Sequence, residues 1–121
     1  MHIVIPLEPR TKKNHQQIIS TNGRPLVIPS KQYKQYEKDC GIFIDNLPFT
    51  TYDVPVNVKC EYYMGTRRRV DLVNLQEATL DVLVKYGVLV DDNSNIVASM
   101  DGSRVLYDKE NPRTEIWIEE L

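Results

Sequence analysis

The sequence predicts a single α+β domain in which a mixed β-sheet is covered by two main helices. The order of predicted elements is a strand, a hairpin, a helix, a strand, a helix and two further strands. The chain has 121 residues, of which 41% are hydrophobic, and this suits one compact domain over 1–121. A net charge of −2 with 26% charged residues is too small for a chain kept disordered by its charge.

The first half of the chain contains a strand, a hairpin and a helix. Residues 2–7 predict a short strand that enters a polar loop of a kind that often contacts ligands. Asn22–Gly23 predicts a tight type I′ turn between the hairpin strands 16–20 and 25–28. Ser30 is the expected N-cap of a helix that ends near 46–48. Its apolar residues recur at helical spacing: Tyr33, Tyr36, Cys40, Phe43 and Ile44.

The second half contains the clearest strand and the clearest helix. Apolar residues alternate over 52–64 and predict a strand with one buried face. They are Val54, Val56, Val58, Cys60 and Tyr62. A helical period follows a run of arginines and ends at Gly87. Two strands complete the chain: 96–107, interrupted at Asp101–Gly102, and 113–119.

The composition argues against a membrane or exported protein. The longest near-apolar stretch, 82–90, is far shorter than the roughly 20 residues of a bilayer-spanning helix. The N-terminal residues have neither a basic start nor a long apolar centre, so we expect no secretory signal. Cys40 and Cys60 lack zinc-site spacing and are expected to be reduced, partly buried thiols. These features favour a cytoplasmic location.

Charge is distributed unevenly along the chain. Residues 1–69 carry eleven Lys and Arg against six Asp and Glu, whereas 70–121 carry four against eleven. The two parts therefore have net charges of +5 and −7. This asymmetry can set a basic surface beside an acidic pocket, which suits a protein that holds a polyanion while it binds a cation. Ordinary surface charge without a shared role is the alternative.

The second helix carries a polar stripe, which is the main candidate site. At 100° per residue the stripe comprises Asp71, Asn74, Glu77, Ala78, Asp81 and Lys85. The rest of the helix surface is apolar, so the stripe should face a groove or a partner. A short β-like segment, 88–90, could return Asp91 and Asp92 toward Asp71 or Glu77. Converging carboxylates repel one another unless a hard cation such as Mg²⁺ binds them.

A basic run directly precedes the first of these acids. It consists of Arg67, Arg68 and Arg69. Guanidinium groups can donate two parallel hydrogen bonds to a phosphate, and Mg²⁺ beside bound phosphate is the arrangement of metal-dependent nucleases. The N-terminal loop adds three candidates for contacts with DNA: Lys12, Lys13 and Asn14. In the alternative interpretation Asp71 only caps its helix, residues 91–93 only build a turn and the arginines form a solvated loop.

Two stretches of the second half form a recognisable pattern. They read Arg67-Arg-Arg-Val-Asp-Leu-Val-Asn-Leu-Gln-Glu-Ala-Thr-Leu-Asp81 and Gly87-Val-Leu-Val-Asp-Asp92. The pattern resembles the RusA family of Holliday junction resolvases, which are common in phages and prophages. The resemblance implies that Asp71 and Asp92, with Asp91, hold a catalytic Mg²⁺ or Mn²⁺ and that Asn74 supports the site. It also implies a homodimer that acts on four-way DNA junctions in recombination and repair, in the host cytoplasm if the protein is phage-encoded.

Two positions depart from the family pattern. Val73 stands where the family usually has a second Asp, and Glu77 stands where a catalytically important Lys is usual. Glu77, one helical turn beyond Val73, is the first candidate to replace the missing carboxylate, and Asp101 is the second. Val73 shares its stripe with Leu80 and Val84, which makes it a candidate packing residue.

The sequence thus predicts a Mg²⁺-dependent endonuclease that resolves four-way junctions by paired nicks. Its catalytic and metal-binding residues are expected to be Asp71, Asp92, Glu77 and Asp91. The alternatives are a branched-DNA-binding protein with a degenerate metal site and a nuclease for other branched or flapped DNA.

Strand aromatics are the remaining candidates. Tyr62, Tyr63 and Tyr107 could stack on splayed bases at a junction, although strand aromatics more often pack against their neighbours. Trp117 alternates with two isoleucines and is expected on the opposite face of the last strand.

Overall fold

The computed structural model describes residues 1–12, 17–28 and 30–121. In these ranges the chain forms a five-stranded mixed sheet, a separate two-stranded hairpin and two helices. The elements in chain order are β1 (His2–Ile5), β2 (Gln17–Thr21), β3 (Arg24–Ile28), α1 (Lys31–Ile44), β4 (Val56–Met64), α2 (Leu72–Lys85), β5 (Val97–Ser99), β6 (Arg104–Tyr107) and β7 (Arg113–Glu120). The predicted α+β class and the order of elements are confirmed.

The sheet is organised around β4. On one side β4 pairs with β7, which in turn pairs with β1, and both pairings are antiparallel. On the other side β4 pairs in parallel with β5 near its start and with β6 near its end. Parallel neighbours require a crossover, and α2 returns the chain from the end of β4 to its start. The end of β4 therefore lies beside the first turn of α2.

Strand β4 provides the central row of the core. Its buried side chains alternate strictly: Val56, Val58, Cys60, Tyr62 and Met64. The strand begins four residues later than predicted, and Val54 is 42% exposed. Pro55, which has no amide hydrogen to donate to a neighbouring strand, separates Val54 from the paired run. The prediction that Val54 shares the buried face is wrong.

Helix α1 begins and packs as its sequence predicts. The Ser30 hydroxyl accepts a hydrogen bond from the Tyr33 amide at 3.1 Å, which confirms the N-cap. Gly41 lies against α2, where a Cβ would come within 2.5 Å of the Tyr86 ring. The Tyr86 hydroxyl donates to the Glu37 carbonyl at 2.8 Å, so both contacts join the two helices. Neither α1 nor α2, the helices of the described ranges, is long and apolar enough to cross a membrane.

Helix α2 buries one side, which includes one residue of its predicted polar stripe. It ends before Gly87, whose φ of +78° terminates the helix as expected. Ala78 is 1% exposed, so its assignment to the polar stripe is wrong. Its small side chain packs beside Thr79, whose hydroxyl lies 2.8 Å from the buried Tyr62 hydroxyl. This side of α2 therefore rests on β4.

Two turn predictions are confirmed by the backbone. Asn22 and Gly23 have φ values of 52° and 75°, as a type I′ turn requires, and Thr21 pairs with Arg24. Asp101–Gly102 separates β5 from β6, where the sequence predicts an interruption. Trp117 lies on the face of β7 opposite the buried Ile116 and Ile118, and its ring stacks on His2 with centroids 4.6 Å apart.

Both cysteines are free thiols inside the core. Cys40 and Cys60 are each 0% exposed, so they are fully rather than partly buried. Burial raises the pKa of each thiol to about 12 because a thiolate would lose its hydration.

Candidate active site

A cleft of about 730 Å³ opens where β4 ends and α2 begins. Its walls are the loop after β1, the loop after β4 and the first turn of α2. The first wall contributes Glu8 and Arg10, the second contributes Arg68 and Arg69, and the third contributes Asp71 and Asn74. The cleft therefore brings basic and acidic side chains from distant parts of the sequence to one place.

Glu8 joins the first two walls. Its two carboxylate oxygens accept hydrogen bonds from the Gly65 amide at 2.9 and 3.2 Å. A Cβ at Gly65 would lie 2.6 Å from a Glu8 oxygen, so a larger residue at this position would displace the Glu8 carboxylate from its present contact. Neither Glu8 nor Arg10 is among the site residues that the sequence predicts, although their place in a polar loop after a strand is a signal for both.

Arg68 and Arg69 supply positive charge to the cleft. Both side chains are exposed, and neither forms a hydrogen bond or ion pair with the parts of the chain that the structure describes. Arg113, by contrast, donates to Asp108 and Glu115, each at 2.9 Å. The guanidinium groups of Arg68 and Arg69 are therefore available to phosphate oxygens.

The other predicted DNA-binding residues have different surroundings. Arg67 packs its guanidinium over the Tyr107 ring, 4.0 Å from the centroid. Lys12 forms an ion pair with Asp81 on α2, so a phosphate at Lys12 would compete with this carboxylate. Lys13 and Asn14 lie outside the described residues. The DNA-binding role of all four stays a prediction.

Asp71 presents its carboxylate to the cleft. It occupies the N-cap position of α2 but makes no side-chain hydrogen bond to the helix amides. One of its oxygens instead accepts from the Asn74 side-chain amide at 3.2 Å. This contact fits the predicted supporting role of Asn74, and no other hydrogen bond from the described residues occupies the Asp71 carboxylate.

The acidic corner, Asp91–Asp92, lies at the other end of β4. The amide immediately before it, that of Val90, donates to the Tyr52 carbonyl at 3.0 Å. Shortly after it, the Ile96 carbonyl accepts from the Val56 amide at 2.7 Å. Both contacts hold the corner near the start of β4, whereas Asp71 follows the end of β4. The expected return of the corner toward Asp71 does not occur within one chain.

The physical reason is a difference in length. Helix α2 has 14 residues and carries the chain about 20 Å from Asp71, whereas 88–90 covers about 10 Å at most.

The Asp91 carboxylate accepts from the Asp92 amide at 2.7 Å and from the Asn93 side chain at 2.9 Å, which lowers its pKa. In the described ranges no three acidic, His or Cys side chains form a group that could hold a metal.

The remaining candidates also differ from expectation. Val73 is 69% exposed, so the prediction that it packs is wrong. Glu77 is exposed on the second turn of α2 and has an interaction partner. The backbone of Asp101 is held by the Asn57 side chain, with the Asp101 amide donating at 2.8 Å. Asn57 lies roughly 20 Å along β4 from Met64, so Asp101 is remote from the cleft.

The fold and the cleft together define a small α+β domain with basic and acidic side chains gathered in one cleft. The family model described as Endodeoxyribonuclease RusA matches residues 6–119. The chain therefore belongs to the RusA family.

Curated relatives match a shorter part of the chain. They include the crossover junction endodeoxyribonucleases RusA of Enterobacteria phage 82, Escherichia coli (strain K12) and Shigella sonnei (strain Ss046). Each is 49% identical over 39 residues, which is 32% of this chain and 32% of the relative. The matched segment thus spans about a third of the length of these relatives.

Proposed function

We propose that this protein is a Mg²⁺-dependent endodeoxyribonuclease that resolves four-way DNA junctions by paired nicks. The observation that carries the proposal is the cleft in which Arg68 and Arg69, without acidic partners in the described ranges, lie beside Asp71. Membership of the RusA family and the name shared by its curated relatives support the reaction and the substrate.

The donor atoms of the cleft fit Mg²⁺. This ion prefers oxygen ligands, keeps several waters and is often bound by one or two carboxylates together with substrate phosphates. Asp71 would supply a carboxylate, and a phosphate held by Arg68 and Arg69 would supply further oxygens. When bound, the metal activates water and stabilises the leaving oxygen. Mn²⁺ has a similar preference for oxygen and is a possible substitute.

The protein's own groups have separate tasks. The guanidinium groups of Arg68 and Arg69 neutralise and orient the phosphodiester through charge-assisted hydrogen bonds. The Asn74 amide orients the Asp71 carboxylate. Glu8 holds the loop after β4 against the loop after β1, so that Arg10 lines the same cleft as Arg68 and Arg69.

We further propose that the active form is a homodimer. Paired nicks require two sites, and a twofold dimer provides them symmetrically. The β2–β3 hairpin supports self-association because four aliphatic side chains on it are exposed by 41–74%: Ile18, Ile19, Leu26 and Val27. A two-stranded ribbon with so much apolar surface is marginally stable without a partner. In a dimer, the acidic corner of one copy can complete the cleft of the other.

The first experiment is cleavage of a labelled synthetic four-way junction with Mg²⁺, beside linear duplex. We expect Asp71→Asn to reduce cleavage by on the order of 100-fold or more with junction binding retained, since metal-ion stabilisation is worth several kcal/mol. Asp101→Asn, which removes an exposed carboxylate remote from the cleft, is the matched control and should cleave normally. Equal activity of Asp71→Asn and wild type would refute this site. Asp91→Asn, Asp92→Asn and Glu77→Gln test the other predicted ligands one at a time.

Mixing two inactive variants tests whether sites are shared between copies. If Asp71 and Asp92 act in one site but come from different chains, mixed dimers of Asp71→Asn and Asp92→Asn contain one intact site and one doubly altered site. These dimers should nick a single strand at a junction. Sites built within one chain would leave every mixed dimer inactive.

The second candidate function is branched-DNA binding without cleavage. It is favoured by the separation of Asp71 from the acidic corner in one chain and by the aliphatic Val73. Tight junction binding with no nicks in either Mg²⁺ or Mn²⁺ would support it. Thermal melts separate the two functions. If the cleft binds metal, Mg²⁺ should raise the melting temperature of wild type but not that of Asp71→Asn, and this result would favour the nuclease.

A further inference from the structure

One arginine–tyrosine pair has no place in the cleavage site described above. The Arg67 guanidinium lies over the Tyr107 ring at 4.0 Å from its centroid. Tyr107 is 40% exposed, and Arg67 is exposed as well. Tyr107 ends β6 and pairs in register with Met64, whose side chain lines the cleft. The pair therefore stands at the rim of the cleft, on the side formed by the strand ends.

A second arginine–tyrosine stack, that of Arg113 on Tyr63, differs from the Arg67–Tyr107 pair in its surroundings. The Arg113 guanidinium lies 3.7 Å from the centroid of Tyr63. Arg113 also donates to Asp108 and Glu115, so that stack belongs to an internal ion-pair network. Since Tyr62 and Met64 face the core, Tyr63 faces the opposite side of the sheet.

Arg67 has no comparable network. Among the described residues Tyr107 is its partner, and no carboxylate or carbonyl accepts from its guanidinium. The ring holds the guanidinium group in position, and the Arg67 side chain is exposed, so a base can approach it from solvent. A positioned, exposed plane of positive charge is a surface on which a nucleobase can stack.

We propose that Arg67, positioned by Tyr107, is a stacking platform for an unstacked base at the branch point of DNA bound in the cleft. This inference rests on the proposed function and adds a basis for substrate choice. In linear duplex each base is stacked between its neighbours and is not offered to the protein. At a branch point a base can leave the stack, so the platform favours branched over linear DNA.

The test uses a four-way junction with 2-aminopurine at the branch point, whose fluorescence reports its stacking. Binding is measured without divalent metal so that no strand is cut. We expect wild type to change the fluorescence and to prefer junction over linear duplex. Arg67→Lys keeps the charge but lacks the plane, and Tyr107→Ala leaves the plane unsupported. Both should abolish the fluorescence change and reduce the preference for the junction about ten-fold.

Two further variants are controls. Tyr107→Phe keeps the ring and should retain the fluorescence change, whereas loss of the change in this variant would overturn the ring-supported platform. Tyr63→Ala removes the equivalent ring from the opposite sheet face and should leave the fluorescence change intact. Thermal melts of each variant establish that it is folded.

The outcomes separate the platform from the proposed function. Wild type that cuts and prefers the junction, with an unaltered signal in Arg67→Lys and Tyr107→Ala, overturns the platform alone. Equal weakening on junction and duplex also overturns it, because it identifies a phosphate contact. Wild type that neither binds nor cuts the junction overturns the proposed function and the platform together.

Discussion

At the residue scale, the basic side of the cleft is defined by two arginines that lack acidic partners among the described residues. Arg68 and Arg69 have none among the described residues, whereas Lys12, Lys85 and Arg113 are each paired with carboxylates. Sequence spacing finds the arginines but cannot distinguish paired from unpaired cations, because the pairing depends on neighbours brought together by folding. Lys12 illustrates this, since its partner Asp81 is 69 positions away.

Val73 offers a residue-scale prediction about catalysis. Its side chain is 69% exposed in the first turn of α2, so replacement removes little packing. Val73→Asp adds a carboxylate near Asp71 and close to the positive end of the helix dipole. We expect tighter Mg²⁺ binding and junction cleavage at least a few-fold faster at limiting metal, measured over a Mg²⁺ titration. Val73→Asn adds a similar shape without the charge and should not reproduce the gain.

The thiols provide a second residue-scale prediction. Burial raises the pKa of both Cys40 and Cys60 from an ordinary 9.0 to about 12. Since the folded pKa exceeds the unfolded one, this contribution to stability is complete below pH 9 and is lost as the pH rises toward 12. At pH 8 a thiol reagent should label neither cysteine in the native protein and both in urea, as counted by mass spectrometry. Rapid native labelling would contradict the buried placement.

At the element scale, two consecutive buried hydrogen bonds join the sheet to α2, the helix that carries the site. The Thr79 hydroxyl donates to the Leu75 carbonyl at 2.9 Å, and the Tyr62 hydroxyl lies 2.8 Å from the Thr79 oxygen. Tyr62 and Thr79 are 1% and 5% exposed. These hydrogen bonds fix α2 on β4, and they thereby position Asp71 at the end of that strand. Periodicity predicts both elements but not the bond between them.

Removing one of the two hydrogen-bonded hydroxyls should destabilise the fold. Thr79→Val leaves the Tyr62 hydroxyl buried without an acceptor, which costs about 1–3 kcal/mol in the free energy of unfolding. Tyr62→Phe with Thr79→Val removes both partners and should recover part of this loss. Urea denaturation of wild type, the two single variants and the double variant gives the free energies of unfolding for a double-mutant cycle. Additive losses would show that the two hydroxyls do not interact.

At the whole-molecule scale, two features bear on the proposed dimer. They are the exposed aliphatic hairpin and the separation of Asp71 from the acidic corner. The hairpin is a sheet of its own, and its Ile18 and Val27 side chains, which lie directly opposite each other, are 74% and 55% exposed. Asp71 and the acidic corner lie at opposite ends of β4 in one chain. The proposed second copy would account for both features, because it would cover the exposed hairpin and bring its acidic corner to the Asp71 of the first copy.

Assembly is tested by adding charge to the hairpin. Ile18→Lys should weaken a dimer formed through this surface at least ten-fold, because a buried unpaired ammonium is costly. Sedimentation velocity over a concentration series measures the change, and paired nicking should fall with it. Thr21→Lys introduces the same charge at an exposed polar position on the opposite face of β2 and serves as the control. An unchanged association for Ile18→Lys would place the interface elsewhere.

The sequence by itself determined the α+β class, the hairpin turn, the Ser30 cap, the alternation of β4 and the limits of α2, because each depends on residues close together in the chain. Its RusA pattern also pointed to the family that residues 6–119 match. Tertiary structure decided which charges meet. It brought Glu8 and Arg10 to the arginines and Asp71, and it kept the acidic corner at the far end of β4. Those distances follow from helix length and strand pairing, which local sequence patterns do not contain.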